Sequence, residues 1–423
     1  MTISCPVQTE FDPLGKDFLA DPFAVLATLP ADTPVFYAPS IDYYVVTRHA
    51  DIAAVFSDHA TYSAAAAQLP LVPLEPEAGR ILLDGGHRPQ PSMVSLDPPE
   101  HARLRRPATR AFTAKRVQSM APGIGQRVDS LLDAVGAAEE FDLVEALCFP
   151  LPADTIFSLM GVPRQDYPQL RAWCGSRAAL AWGRPAPEEQ VDIATNMVAY
   201  RRYLRELVDA KQAARSDDFT SDLLAIRDEN PDALSADDIA SILFSLSFAG
   251  HETTNNLIGN TVRRLLQCPE RWAAVVADPT SIPAVVEETL RFDPSVPVWR
   301  RVTARAVTLG GVDLPAGAKL FLWLAAAGRD PAVFSDPDTF DPRRGNAREH
   351  LAFGGRSIHL CLGAALGRLE AVIALERLVE RFPSLTLPEQ DISFHPNISF
   401  RGPQHLWVRV GQSRSTRGFV NSR

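Results

Sequence analysis

The sequence predicts a mainly α-helical fold with a smaller β part, in a single domain over residues 1–411. Helical patterns dominate from Glu100 to about Lys211, and residues 235 to about 267 read as one very long helix. Alternating residues and glycine-containing turns from Val302 to about Leu322 are typical of β-strands. No Gly/Ser-rich linker or internal repeat divides the chain, and the polar residues 412–423 are expected to be a disordered tail.

The shorter elements follow from local patterns and helix-breaking residues. Val45–Thr47 is predicted to be a short strand, and Ala50–Phe56 a short helix. Residues 65–99 are rich in Pro, Gly and Leu without clear periodicity, which predicts a long loop of the kind that forms a functional lid. A last strand pair is predicted within residues 392–411. Prolines divide the helical region at Pro122, Pro150, Pro152, Pro163, Pro185 and Pro187.

The long helix has a recognisable start. Ser235, followed three residues later by Asp238, resembles a capping box, in which each end group satisfies a backbone N–H of the other. At ~1.5 Å per residue the helix would span roughly 50 Å, enough to cross the whole molecule.

Composition excludes several classes of protein. A net charge of −9 argues against a general nucleic-acid binder. Five widely separated cysteines favour a reduced, cytoplasmic chain over a disulfide framework. The first residues lack the basic and apolar regions of a signal peptide, and no apolar run is long enough to span a membrane. We therefore expect a cytoplasmic monomer without nucleic-acid or membrane partners.

Cys361 is the most informative residue. It follows the glycine-rich segment that begins at Phe353, and an apolar helix begins directly after it. Glycines allow a planar ligand to approach the backbone closely, and a helix N-terminus stabilises a thiolate. Thiolate ligation of haem iron needs a single cysteine, whereas zinc is disfavoured because no second cysteine lies within metal-ligand spacing. The alternative is an ordinary buried cysteine.

Glu252 and Thr253 lie at a weak point of the long helix, in the run Ala249-Gly250-His251-Glu252-Thr253-Thr254. Glycine destabilises a helix interior by about 1 kcal/mol relative to alanine, and threonine can bond back to a carbonyl. This combination predicts a locally opened groove where a small ligand could receive protons. The alternative is an ordinary amphipathic stretch, although its apolar flanks indicate burial.

Two further constellations are less specific alone. Glu288 and Arg291 lie on one helix face. An arginine of the run Phe340-Asp341-Pro342-Arg343-Arg344 could bind this pair and fix the position of the Cys loop. The alternative is an ordinary surface ion pair. The cationic side chains of His101, Arg105, Arg301 and His359 would suit two carboxylates, such as the propionates of haem; the alternative is a solvated basic face.

The order and spacing of these motifs resemble the bacterial cytochrome P450 family over nearly the whole chain. The matching text is A-G-x-E-T-T, E-x-x-R, F-D-x-x-R and F-G…H-x-C-x-G, and the four together are highly specific. Other stretches resemble the haem domains of self-sufficient enzymes fused to a phthalate-dioxygenase-type reductase, and their stand-alone thiocarbamate-degrading relatives. These are Trp182–Val191, Val298–Val302 and Leu309–Val312.

The resemblance implies a triangular helical prism, with haem b between the long helix and the Cys loop. It implies Cys361 as the axial iron ligand and Glu252 and Thr253 as the acid–alcohol pair of oxygen activation. It also implies three further groups of site residues. The structural triad would be Glu288, Arg291 and Arg344, and the residues beside the cofactor would be Phe353 and Ala249. The propionate partners would be His101, Arg105, Arg301 and His359, with Arg300 as an alternative to Arg301.

The Cys loop departs from the family pattern. Cys361 comes eight positions after Phe353 instead of seven, and Ser357 stands where a second glycine is expected. We interpret this as a one-residue bulge that alters hydrogen bonding to the sulfur, and therefore the redox potential.

The implied activity is that of an O2-dependent monooxygenase acting on a small-to-medium, largely apolar substrate by hydroxylation or dealkylation. Electrons would come from an external ferredoxin and its NAD(P)H-dependent reductase, since only about sixty residues follow Cys361. Alternatives are a peroxide-driven enzyme and a haem protein without turnover.

Two groups of residues are assigned to partner and substrate. A positive patch for the ferredoxin would comprise Arg103, Arg105, Arg106, Arg110, Lys115, Arg116, Arg356 and Arg368. The substrate pocket would be lined by the 65–96 loop, Trp182, Phe244, Phe248, Ala249, Val296, Val298 and Ile398.

Overall fold

The computed structural model describes residues 5–30, 32–86, 92–174 and 177–411. The predicted tail at 412–423 and part of the predicted 65–99 loop lie outside these ranges. The helices are α1 Lys16–Ala20, α2 Pro22–Thr28, α3 His49–Ser57, α4 Pro76–Asp84, α5 Glu100–Ala111, α6 Ala114–Ser119, α7 Ala121–Val135, α8 Pro150–Met160, α9 Tyr167–Cys174, α10 Arg177–Trp182, α11 Pro187–Ala213, α12 Phe219–Glu229, α13 Ala236–Leu266, α14 Pro269–Ala277, α15 Ile282–Phe292, α16 Leu324–Ala327 and α17 Ala364–Arg381. The strands are β1 Val35–Ala38, β2 Tyr43–Val46, β3 Tyr62–Ser63, β4 Glu140–Asp142, β5 Val298–Thr303, β6 Val307–Leu309, β7 Val312–Leu314, β8 Lys319–Trp323, β9 Leu385–Thr386 and β10 Trp407–Val410.

The predicted mainly helical fold with a smaller β part is confirmed. One sheet has the strand order β1-β2-β8-β5-β3, in which only β2 and β8 run parallel. A second sheet has the order β4-β10-β9, and β6 and β7 form a hairpin. None of the helices in the described ranges has the length and apolar character needed to cross a bilayer.

The long central helix α13 begins where the sequence indicates. The Ser235 hydroxyl accepts from the Asp238 N–H, and the Asp238 carboxylate accepts from the Ser235 N–H, which completes the predicted capping box. α13 packs against α8, α11, α15 and α17, and most of its residues are buried. It forms one wall of the central cavity as a result.

Two predictions of secondary structure are wrong. The 65–99 segment contains α4, a helix that starts at Pro76 and buries Ala78 and Leu82 against α11. Its single apolar face spans too few residues to stand out among the surrounding prolines. Residues 392–411 contain only the strand β10, which pairs with β4 and β9, while Phe394 and Pro403 form an isolated bridge.

Asp293, at the C-terminal end of α15, is the centre of a buried charge cluster. It is fully buried and forms ion pairs with Arg263, Arg264 and Arg401. Burial alone would raise the pKa of Asp293, but the three guanidinium charges outweigh it and hold the pKa far below its usual range. Because Arg401 also donates to the carbonyls of Leu19 and Ala20, the cluster ties α13 and α15 to both ends of the chain.

Asp293→Asn should lower the free energy of unfolding by about 3–5 kcal/mol, because it leaves buried guanidinium charges without their counter-ion. Urea denaturation followed by circular dichroism measures this. Asp192→Asn, a control at an exposed position on α11, should change it by less than about 0.5 kcal/mol. Equal effects of the two substitutions would contradict the role of the cluster.

Candidate active site

A cavity lies between α13 and the loop that carries Cys361. Its wall is mostly apolar and includes many of the residues singled out from the sequence. Those residues are Arg105, Trp182, Phe248, Ala249, Thr253, Val296, Arg301, Phe353, His359 and Cys361. The site is therefore built from α5, α10, α13, β5 and the Cys loop together.

Cys361 lies three residues before α17, and it lines the cavity. The Cys361 N–H donates to the Phe353 carbonyl at 3.0 Å, which closes the loop. Gly354 and Gly355 both have positive φ, +90° and +56°, in the segment where the sequence predicts an extra residue. The Ser357 hydroxyl accepts from the His359 N–H at 3.0 Å. The longer loop thus keeps Cys361 directed at the cavity.

The surroundings of Cys361 act on its thiol in opposite directions. Burial raises the pKa of the thiol above its ordinary value. The N–H groups of Gly363 and Ala364 at the start of α17, and the charges of Arg105 and Arg368, work against that rise. Metal coordination removes the proton from such a thiol outright. The site therefore suits a metal-bound thiolate better than a free one.

His101 and His359 lie side by side at the edge of the cavity, with ring centroids 4.2 Å apart. The Nε2 atom of each ring is buried and has no hydrogen-bond partner among the described residues. Burial, together with the nearby charge of Arg301, lowers the pKa of His359 to about 3. For His101, burial and then Arg105 lower the pKa. Two neutral imidazoles with free Nε2 atoms suit a ligand rich in carboxylates.

Arg301 and Arg105 complete this cationic edge. Arg301 is buried without a carboxylate partner, and donates only to the Arg300 carbonyl among described atoms. Arg105 donates to the Leu360 carbonyl at 2.5 Å. Asp97 lies near, but its carboxylate is bonded by Ser63 and the Ala64 N–H. A cofactor with two propionates, as haem b has, fits these unpaired cations.

Arg300 does not substitute for Arg301. Successive residues of a strand point to opposite faces, so only one of the two can face the cavity. The Arg300 guanidinium donates to the Ala67, Leu69 and Ala181 carbonyls, which fixes the start of the 65–86 segment over the cavity.

α13 runs without interruption through the segment where a groove is predicted. The helix is continuous from Ala236 to Leu266, and the Thr253 hydroxyl donates to the Ala249 carbonyl at 2.7 Å. Gly250 lets α13 approach α8, because a Cβ there would lie 2.8 Å from Ile156 Cδ1. Gly250 therefore allows close packing of α13 against α8, and Thr253 faces the cavity from a continuous helix.

Glu252 lies beside Thr253 but is not part of the cavity wall. It is buried, and burial raises the pKa of its carboxyl group. Its Oε1 accepts from Asn256 Nδ2 at 3.3 Å, and His395 Nε2 lies 3.9 Å from the same oxygen. The predicted acid thus faces the loop before β10, and Thr253 alone of the pair faces the cavity.

Glu288 and Arg291 on α15 form a fully buried bidentate ion pair, with N–O distances of 2.7 and 2.8 Å. Arg344 Nε lies 3.5 Å from Glu288 Oε1, whereas Arg343 is exposed. Arg291 also donates to the carbonyls of Gly328, Pro337 and Thr339. This cluster fixes the chain that leads to the Cys loop.

A second anchor was missed. Glu287 accepts hydrogen bonds from Arg368 and His350. Burial would raise the pKa of Glu287, but these hydrogen bonds, helped by the charges of the two partners, outweigh burial and lower the pKa to about 2. The Arg368 guanidinium lies over the Phe353 ring at 4.4 Å. The adjacent glutamates of the Glu287-Glu288 pair were the available signal, since two acids inside a buried helix need two partners.

Glu370 on α17 was also missed. It lines the cavity, burial raises the pKa of its carboxyl group to about 8, and its Oε2 has no partner within the described residues. Its spacing of nine residues from Cys361 carried no signal without the fold.

The predicted substrate wall is only partly right. Phe244, Val298 and Ile398 do not line the cavity. The Phe244 ring lies 3.7 Å from the Arg177 guanidinium, and Val298 and Ile398 pack in the core beside the sheet. Wall residues that were not predicted individually are Gln68, Met93, Val94, Ser245, Leu246, Ser295, Trp299 and Phe400.

Half of the predicted positive patch is neutralised. Four of its eight members form ion pairs: Arg103 with Glu100 and Asp238, Arg110 with Glu229, Arg116 with Asp217 and Asp222, and Arg368 with Glu287. Arg106, Lys115 and Arg356 are exposed, and Leu360 is half-exposed.

Comparisons with known proteins agree with this geometry. The family model described as Cytochrome P450 matches residues 280–402. Cytochrome P450 monooxygenase PikC from Streptomyces venezuelae is 35% identical over 98% of this chain and 97% of its own.

Solved structures of cytochrome P450 proteins also resemble this chain in fold and in sequence. Cytochrome P450 CREJ in complex with (4-ethylphenyl) dihydrogen phosphate superimposes with a TM-score of 0.90, at 37% identity over 93% of this chain and 98% of that one. An intact type IV self-sufficient cytochrome P450 monooxygenase gives 0.91, at 34% identity over 95% of this chain and 53% of that one. The resemblance to the haem domains of fused enzymes is thereby confirmed. The chain belongs to the cytochrome P450 family, and it is a monooxygenase whose cofactor is haem b.

Proposed function

We propose that residues 1–411 act as a single haem domain that inserts one oxygen atom of O2 into a small-to-medium, largely apolar organic substrate. The observation that carries this proposal is the arrangement around one cavity. The Cys361 thiol and the Thr253 side chain both line it, Arg301 is buried at its edge without a carboxylate partner, and its wall is mostly apolar.

Each group of residues has a distinct task. Cys361 ligates the iron, and His101, His359, Arg105 and Arg301 bind the propionates. When bound, thiolate-ligated haem supplies the activation of O2 and the insertion chemistry. The mostly apolar wall binds the substrate and excludes water, which favours the productive use of oxygen.

Glu252 and Thr253 hold and pass the protons that the reaction consumes. The Thr253 hydroxyl hydrogen is directed at the Ala249 carbonyl, so its oxygen lone pairs remain to accept a hydrogen bond inside the cavity. Burial raises the pKa of Glu252, which favours its protonated form, and this carboxyl group holds a proton at the adjacent position of the same helix.

The wall also indicates what the substrate looks like. Trp182, Phe248, Trp299 and Phe400 supply aromatic faces, while Gln68 supplies an amide. A flat apolar body with one polar end fits this combination. The (4-ethylphenyl) dihydrogen phosphate bound to CREJ has this general character.

Electrons come from an external ferredoxin and its NAD(P)H-dependent reductase in this proposal. Arg106, Lys115 and Arg356 are exposed cations, and Leu360, which is next to Cys361 in the chain, is half-exposed. Exposed positive charge of this kind suits an acidic electron carrier.

Arg301→Gln should weaken haem retention, because it removes a charged hydrogen bond to a propionate worth about 1.5–3 kcal/mol, or roughly 10–100-fold in the rate of haem loss. Haem transfer to excess apomyoglobin measures this rate. Arg305→Gln, on the exposed end of the same sheet region, is the control and should not change it. Equal rates for the two variants would contradict the assignment.

Thr253→Ala should retain haem but lower the product formed per NAD(P)H by about tenfold or more, because protons no longer reach the reacting oxygen in a controlled way. The missing electrons should appear as hydrogen peroxide. Thr253→Ser, which keeps the hydroxyl, should stay near the wild type. Tightly coupled turnover in Thr253→Ala would exclude the proton-delivery role.

A further inference from the structure

Glu252 faces away from the cavity and towards the loop that precedes β10. The Glu252 side chain is 7% exposed, and its Oε1 accepts one hydrogen bond, from Asn256. Gly402 lets Asn256 pack closely here, since a Cβ at Gly402 would lie 2.0 Å from Asn256 Oδ1. An acid that supplies protons repeatedly must be reprotonated, and bulk water does not reach this carboxylate freely.

His395 connects the buried Glu252 carboxylate with the solvent. Its Nε2 lies 3.9 Å from Glu252 Oε1, and its side chain is 33% exposed, so one imidazole contacts both the solvent and the surroundings of the buried acid. A small side-chain movement or one water molecule closes the distance to a hydrogen bond. Histidine is the side chain that exchanges protons most readily near neutral pH.

The charges around the pair single out His395. Burial raises the pKa of Glu252, and His395 is the one charged group of the described residues that lowers it. No described lysine or arginine forms an ion pair with Glu252. Cys174 is another titratable neighbour of Glu252. Burial raises the pKa of the Cys174 thiol, and the charge of Glu252 raises it further, so the thiol stays neutral.

The loop holds His395 in place. The Gln404 N–H donates to the Ser393 carbonyl, and Phe394 and Pro403 form a bridge. Arg263 and Arg401 lie over the Phe394 ring, and Asp293 pairs with both, so these two charges are compensated. A side chain on such a braced loop is positioned, unlike one on a free surface segment.

We propose that His395 is the positioning residue that feeds protons from solvent to Glu252. The imidazolium gives its Nε2 proton to the Glu252 carboxylate, which leaves neutral imidazole and a carboxylic acid. Water then reprotonates the imidazole, while Glu252 passes its proton on beside Thr253. This inference rests on the proposed role of Glu252 and Thr253, and it assigns their connection to the exterior.

The first test compares His395→Gln with His405→Gln in the haem-loaded enzyme. His405 is more exposed and pairs with Asp142 in the other sheet region, so it controls for loss of a histidine. We expect His395→Gln to lower product per NAD(P)H by about tenfold, less than the roughly 100-fold typical of a directly acting acid. The His405→Gln control should match the wild type. Full coupling in His395→Gln would overturn the proposal.

The second test does not depend on turnover. The infrared band of the protonated Glu252 carboxyl group, identified by its loss in Glu252→Gln, is followed against pH in the holoenzyme. Because the charge of His395 lowers the pKa of Glu252, His395→Gln should move the midpoint upwards, and His405→Gln should not. An unchanged midpoint would overturn the proposed contact.

The two levels of the proposal can fail separately. Coupled turnover in Glu252→Gln would remove the role of Glu252 itself. Uncoupling in Glu252→Gln together with normal turnover and an unchanged midpoint in His395→Gln would leave that role intact and exclude His395 alone.

Discussion

A single thiol in a mostly apolar cavity is the constraint on which the rest of the structure depends. Burial disfavours the thiolate, so the chain must aim Cys361 at its metal and stabilise the charge by position. The start of α17 supplies two N–H groups for this purpose. Glu287 and Arg368 clamp Phe353, and Glu288, Arg291 and Arg344 fix the preceding chain. Buried ion pairs here cost desolvation, and they fix geometry in return.

The opposite wall of the cavity obeys a different requirement, which is to admit protons without admitting bulk water. α13 satisfies this requirement as an uninterrupted helix, because consecutive residues on it face different surroundings. Thr253 faces the cavity, and Glu252 faces the loop before β10. Arg263 on the same helix joins Asp293 and Arg401, which brace that loop. Stability and proton access thus depend on one shared set of contacts.

Sequence reasoning located what depends on local signals. The Ser235 cap and the position of Cys361 could both be found from neighbouring residues. What it missed depends on tertiary packing. The α4 helix carries too little periodicity, the partners of β10 lie far away in sequence, and Gly250 serves helix packing where an opening was expected. Strand alternation distinguishes Arg301 from Arg300 only once the sheet is known. The roles of Glu287, Glu370 and His395 depend on contacts with residues that are distant in sequence, and no spacing rule predicts those contacts.

The central claim is that Cys361 binds haem iron as a thiolate despite the longer loop. The carbon monoxide difference spectrum of the dithionite-reduced holoprotein tests it most directly. The account predicts a strongly red-shifted Soret band, because an electron-rich thiolate lies opposite the bound carbon monoxide. A band at the ordinary haem–carbon monoxide position would mean that the sulfur is protonated or displaced, and would contradict the account.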